Sequence, residues 1–141
     1  MMRAGTGIVH SEFNHSKAEQ VHLLQLWILP RTRGLKPAWE QRRFAREERL
    51  GKLLPVVSSG DKSGTLAIDQ DAVIYLGNLR GGEQVTHTAP PARKTYLFLI
   101  SGGLTVNGTL VAAGDQARVA GEPELQLQAQ TDSELILLDL P

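Results

Sequence analysis

The feature that most limits how this chain can fold is the frequency with which turn residues interrupt its apolar runs. From Leu53 onward no apolar stretch is long enough for an ordinary helix before glycine, proline or a polar cluster breaks it. Leu53–Ser58 reads as a strand and 59–64, Ser-Gly-Asp-Lys-Ser-Gly, as a turn. Leu66-Ala67-Ile68 leads toward a second strand over Ala72–Leu76, and Gly81-Gly82 turns the chain again. Thr95–Ile100 has the composition of a buried strand and is followed by Gly102-Gly103. Leu104–Val106 and Thr109–Val111 flank Asn107-Gly108, the strongest short-range signal for a two-residue hairpin. Gly114-Asp115 is a further turn. Leu125–Gln128 alternates as a strand with one wet face should, and Glu134–Leu140 ends the chain as a strand. About eight short strands at this spacing predict an all-β fold, a sandwich or jelly roll.

The first 52 residues are organised differently. Gly7–Phe13 and Val21–Leu29 are β-compatible, with a polar turn over 14–20 between them and Pro30 closing the second run. Residues 31–52 carry Arg31, Arg33, Lys36, Arg42, Arg43, Arg46, Arg49 and Lys52 against only Glu40, Glu47 and Glu48. Pro37 followed by Ala38–Phe44 predicts a short helix with proline in its first turn, anchored by Trp39 and Phe44. This stretch reads as a linker with a solvated charged face rather than a nucleic-acid arm. The whole chain balances 15 basic against 15 acidic residues, so no net field draws it to nucleic acid or an anionic membrane. Apolar runs such as Leu135–Leu138 are far too short to cross a bilayer. Met1–His10 lacks the apolar core of a signal peptide. The absence of cysteine excludes disulfides and thiolate metal sites and fits a cytoplasmic protein.

Among the four histidines, His10 carries the chemical information. In a strand, His10 and Glu12 point to one face. An imidazole and a carboxylate converging there suit iron, manganese, nickel, copper or zinc as divalent ions. The same pair also reads as a solvated, hydrogen-bonded couple. The sequence contains no phosphate-binding glycine loop, nucleophile elbow or paired acidic constellation.

Gly7, His10 and Asn14 match the end of the second cupin motif: glycine, two residues, histidine, three residues, asparagine. Gly5–Asn14 as a whole resembles the signature of pirins and their bacterial quercetinase-like relatives. The resemblance continues through Gln20–Pro30, Arg33–Pro37, Glu40–Phe44, the Leu104–Gly108 hairpin, Thr131–Leu135 and Asp139-Leu140-Pro141, and so spans essentially the whole chain. It implies two tandem cupin barrels, the N-terminal one holding a metal through three histidines and a glutamate. His10 and Glu12 match the last two of those ligands, and Glu12 would also be the catalytic proton acceptor. The preceding His-x-His pair lies on an earlier family strand, and this chain is expected to begin after it, leaving two ligands of four. Gly81 and His87 fit the start of the first motif in the C-terminal cupin. Ala89, Arg93–Tyr96 and Ala117 occupy its remaining ligand positions, so that barrel is expected to be metal-free and His87 to lie on the surface or in a loop.

The expected organisation is therefore a remnant of the metal-binding cupin over 1–30, a basic linker with a short helix over 31–52, and a metal-free cupin over 53–141. His15 is expected in solvent. His22 is expected as a hydrogen-bonded structural or supporting histidine rather than a ligand. Two functions follow from the resemblance. One is a truncated, non-catalytic pirin-like protein with an incomplete site. The other is a metal-dependent quercetin 2,3-dioxygenase-like oxidoreductase, acting on a flavonol-like molecule, whose site is completed by oligomerisation or by a missing N-terminal half. The β-prone, apolar run Val21–Leu29 predicts either docking onto 53–141 or exchange in a homo-oligomer.

Overall fold

A computed structural model describes residues 1–90 and 92–141. Twelve strands make up nearly all of its regular structure: β1 Met2–Arg3, β2 Ala38–Trp39, β3 Leu53–Ser58, β4 Leu66–Ala67, β5 Val73–Leu79, β6 Gln84–Thr88, β7 Lys94–Ser101, β8 Gly103–Val106, β9 Thr109–Ala112, β10 Gln116–Ala120, β11 Glu124–Ala129 and β12 Ser133–Leu140. Two sheets carry the fold. One has the order β10-β7-β12-β5-β3-β4 and the other β6-β11-β8-β9, while β1 and β2 form a separate two-stranded ribbon. Every pairing is antiparallel except β3 with β4. The expected all-β cupin sandwich is present.

Alternation along β12 explains how the layers stack. Leu135 and Leu137 point into the space between the sheets, where they meet Leu97 and Leu99 of β7, Leu125 and Leu127 of β11, and Leu104 of β8. These leucines are essentially inaccessible to water. Ile136 and Leu138 point the other way, onto the outer face of the six-stranded sheet, with Val56 and Ile74. Phe44 and Ile28 pack on that outer face and tie the N-terminal third to the sandwich.

The turns follow their sequence chemistry. Asn107 and Gly108 both have positive φ, 47° and 81°, the backbone of a type I′ hairpin turn. The Asn107 side chain also accepts from the Gln126 amide at 2.8 Å, fixing the hairpin to β11. At the β7–β8 corner Gly102 has φ +89°, and a Cβ there would lie 2.3 Å from the Asp132 carbonyl oxygen. Only glycine fits.

The linker differs from expectation. Residues 37–44 are not helical. Ala38 and Trp39 instead pair with Arg3 and Met2 as β2, and a single 3-10 turn follows at Arg46–Arg49. Strand pairing and the seating of Phe44 outweigh the helix-start signal of Pro37. Arg49 donates to Glu134 at 2.6 Å, and the Gly51 amide donates to the Asn78 carbonyl at 2.8 Å, so the end of this segment is fastened to β12 and β5. The two expected strands Gly7–Phe13 and Val21–Leu29 join no sheet.

The packing predicts a sharp contrast. Leu137→Ala removes a side chain with no water access and should cost about 2–5 kcal/mol in denaturant unfolding. Leu110→Ala, on the exposed side of β9 at 69% accessibility, should stay within about 0.5 kcal/mol of the parent. Equal losses would contradict this assignment of the core.

Candidate functional site

The segment bearing His10 and Glu12 is shaped by two close backbone approaches. The Thr6 amide donates to the Leu35 carbonyl at 3.0 Å, and the Gly7 amide closes a tight turn on the Ala4 carbonyl at 2.8 Å. A Cβ on Gly5 would sit 2.0 Å from the Leu35 oxygen, so this position excludes every other residue. Beyond the turn, His10 Nε2 and Glu12 Oε1 approach to 3.9 Å. Both side chains are well exposed, at 36% and 48%.

Asn14 has a different task. Its amide donates to the Glu19 carbonyl at 2.7 Å, and its oxygen accepts from the Ser16 amide at 3.0 Å. Ser16 Oγ accepts in turn from the amides of Ala18 and Glu19. The asparagine of the motif therefore folds the loop after the histidine. Neither His15 nor His22 joins His10: both are exposed. For His22 this departs from the expected hydrogen-bonded role, because Val21–Leu29 does not pair and its side chains, Ile28 excepted, are exposed.

An imidazole nitrogen and a carboxylate oxygen at this separation are compatible with two donors of one divalent ion. Among the described residues no group of three or more potential ligands assembles around them or elsewhere. The donor chemistry fits a metal; the donor count is half of a closed set. Along the same N-terminal segment, before and after the pair in sequence, Val9, Phe13, Val21, Leu23, Trp27 and Leu29 are exposed. A contiguous apolar segment of this kind marks a surface built to be covered.

The sandwich holds a second constellation, and here an expectation is overturned. His87 is not a surface or loop histidine: it lies on β6, points between the sheets and is 5% exposed. The strand alternation that puts Val85 inside puts His87 inside as well. Tyr75 of β5 meets its ring edge-on, with centroids 5.3 Å apart. His87 Nε2 lies 3.5 Å from Asp139 Oδ2, too far for a satisfying hydrogen bond, and has no partner. Burial holds the His87 pKa below its ordinary value, outweighing the opposing pull of Asp139; the Arg93 charge pushes the same way as burial. Burial likewise raises that of Tyr75.

Arg93 organises this end of the sandwich. Its Nε donates to Asp139 Oδ1 and its Nη2 to the Asp139 carbonyl, while Nη1 reaches both oxygens of Asp71 at 3.0 and 3.1 Å. The guanidinium pKa is raised, chiefly by the hydrogen bond to Asp139. Ser59, Lys62, Tyr75, Thr88, Arg93 and Asp139 line a cleft of about 280 Å³ beside it. In the sequence Arg93 registers only as a ligand position filled by the wrong residue. The available signal was Asp139, a carboxylate directly after the apolar run Leu135–Leu138.

Comparison with known proteins agrees with both parts of the chain. Residues 55–140 match the family model of the quercetinase C-terminal cupin domain, and residues 1–28 match that of pirin. The chain is 38% identical over 141 residues to quercetin 2,3-dioxygenase of Escherichia coli K12, covering all of this chain and 60% of that protein. It is 34% identical over 140 residues to a pirin-like protein of Caulobacter vibrioides, again covering 60% of the relative. The chain thus spans about 60% of the length of these curated relatives. Among solved structures it resembles YhhW from Escherichia coli, with a TM-score of 0.76 and 31% identity over 82% of this chain and 48% of that one. A structure of the same bacterial pirin in complex with nickel(II) gives 0.75, with 32% identity and the same coverage. With its larger part matched by the quercetinase C-terminal cupin model and its opening motif by the pirin model, this chain belongs to the pirin family.

Proposed function

We propose that residues 1–30 form one wall of a metal-binding cupin, that 31–52 link it to the sandwich, and that 53–141 form a metal-free supporting cupin. On this reading the chain is non-catalytic by itself. The observation that carries it is the meeting of His10 and Glu12 at 3.9 Å without a third ligand among the described residues. Whether the remaining donors belong to further polypeptide or to a second copy, the count offered by these residues is the same. A largely leucine interior argues for a supporting role of the sandwich: its inward donors are His87 and Asp139, and Asp139 is already held by Arg93.

When bound, a divalent metal would act there as a Lewis acid and template for a chelating flavonol-like substrate, the kind of molecule named for the related Escherichia coli dioxygenase. His10 would hold it through a ring nitrogen. Glu12 would hold it through one oxygen and accept the substrate hydroxyl proton on the other. The nickel(II) complex of the related pirin supports a divalent ion of this class. A cytoplasmic location fits the cysteine-free sequence.

A second reading, a quercetinase-like site completed by oligomerisation, draws support from the exposed apolar residues of the segment that carries His10 and Glu12. A homo-oligomer through this segment would cover them and bring four donors together.

Two experiments separate these outcomes. In calorimetric titration with nickel(II), the chain should bind weakly, and His10→Ala or Glu12→Gln should each weaken binding at least about tenfold, since even residues that merely support ligands cost roughly 10–100-fold. Stoichiometric tight metal in the purified chain, with oxygen uptake on quercetin, would overturn the non-catalytic reading. In sedimentation, a concentration-dependent oligomer that Trp27→Lys converts to monomer is expected if the apolar segment is the contact. A monomer at all concentrations would remove the oligomeric reading.

A further inference from the structure

We propose that His87 is a proton-operated latch on the cleft at the Asp139 end of the sandwich. As a neutral ring it leaves Asp139 to Arg93; as an imidazolium it takes one oxygen of that carboxylate and loosens the hold of Arg93.

Three observations carry this. First, the His87–Asp139 gap of 3.5 Å is too long for a good hydrogen bond yet short enough to close with a small ring movement, and His87 Nε2 is buried with no other partner. An unsatisfied buried nitrogen beside a carboxylate is a poised arrangement, because a proton placed between them converts a deficit into a charge-assisted hydrogen bond. Second, the carboxylate has a competing cation. Arg93 already holds Oδ1 of Asp139, so a second cation on Oδ2 must share one negative charge. Third, Arg93 is a connector rather than a free surface group. It spans Asp71, ahead of β5, and Asp139, near the end of β12, while its own amide donates to the Pro90 carbonyl at 2.9 Å.

The charged and titratable groups facing His87 can be named element by element. β5 presents Tyr75, β12 presents Asp139, and the approach to β7 presents Arg93, with Asp71 behind it. The strand neighbour on β11 is Leu125, which is apolar. Asp61 and Lys62 lie farther out on the cleft wall. Of these, Asp139 alone draws a proton onto His87 strongly, while burial and Arg93 oppose it.

The sign for stability follows. The folded pKa of His87 is depressed below 6.5, its value when exposed. Above that value neither state is protonated there, and the folded chain is at full advantage. As pH falls below it the unfolded chain binds a proton that the folded chain resists, so stability falls with pH until His87 protonates in place.

The test is histidine and amide NMR on the full 141-residue chain, with His87 resonances assigned by their loss in His87→Gln. His87 should titrate below the ordinary histidine value of 6.5. Across its titration the Arg93 amide should exchange at least about tenfold faster, after correction for the intrinsic pH dependence of exchange. Arg93→Gln should move the His87 midpoint up and Asp139→Asn should move it down. The thermal midpoint of the parent should fall more between about pH 7 and pH 5 than that of His87→Gln. If His87 titrates at or above 6.5, or if it titrates while Arg93 exchange stays unchanged, the latch does not exist. Both of these decisive readings come from the parent chain and hold even if a variant fails to fold.

Discussion

Strand β12 is the member on which the rest of the sandwich depends. It lies between β5 and β7 in the six-stranded sheet, and its alternating side chains serve both faces. Leu135 and Leu137 close the space against the four-stranded sheet, while Ile136 and Leu138 support the outer face on which Phe44 and Ile28 rest. Glu134 receives Arg49 at one end of the strand, and Asp139 receives Arg93 at the other. One eight-residue strand thus binds the sheets to each other, the linker to the sheet, and the polar cluster to the core. Each contact is ordinary in size. Their shared dependence on one strand couples them, so that the hydrophobic term holding β12 in place also fixes the geometry of both ion pairs.

The same physics divides the chain into two chemically unlike parts. Inside the sandwich, inward positions are mostly leucine, and the polar set of His87, Asp139 and Tyr75 is kept by a guanidinium clamp at the rim. At the N-terminal segment the donors are in solvent and the apolar side chains are uncovered. A metal site requires the reverse arrangement, with several donors held rigidly by packed surroundings. The sandwich has the packing but commits its inward carboxylate to Arg93, and the N-terminal segment has ligands without the packing.

Local chemistry was legible in the sequence and nonlocal chemistry was not. Asn107-Gly108 specifies its turn through the φ values of two residues, and the leucine alternation of 125–128 specifies an inward face; both appear as read. The helix expected after Pro37 fails because its competitor is a pairing with Met2 and Arg3, far away in the chain. Val21–Leu29 reads as a β-compatible strand because its composition is that of one, but among the described residues it finds no strand partner, and it docks through Ile28 and the Leu29 carbonyl. His87 was misplaced for the same reason. Its burial depends on Asp139 and Arg93, and its own neighbours, Thr86 and Thr88, suggest nothing but an exposed strand. The His10–Glu12 pair was found from spacing, and the structure places the two side chains on one side of an unpaired segment.

What decides the account is how many side chains one copy gives to a metal. X-ray absorption of the nickel(II)-loaded chain reads that number directly, because each bound imidazole adds a recognisable multiple-scattering signature to the nickel environment. We predict one imidazole per nickel for the single chain, with the rest of the coordination made of oxygen donors, and two where two copies share the ion. Three imidazoles on a nickel bound to a demonstrated monomer would contradict the central claim.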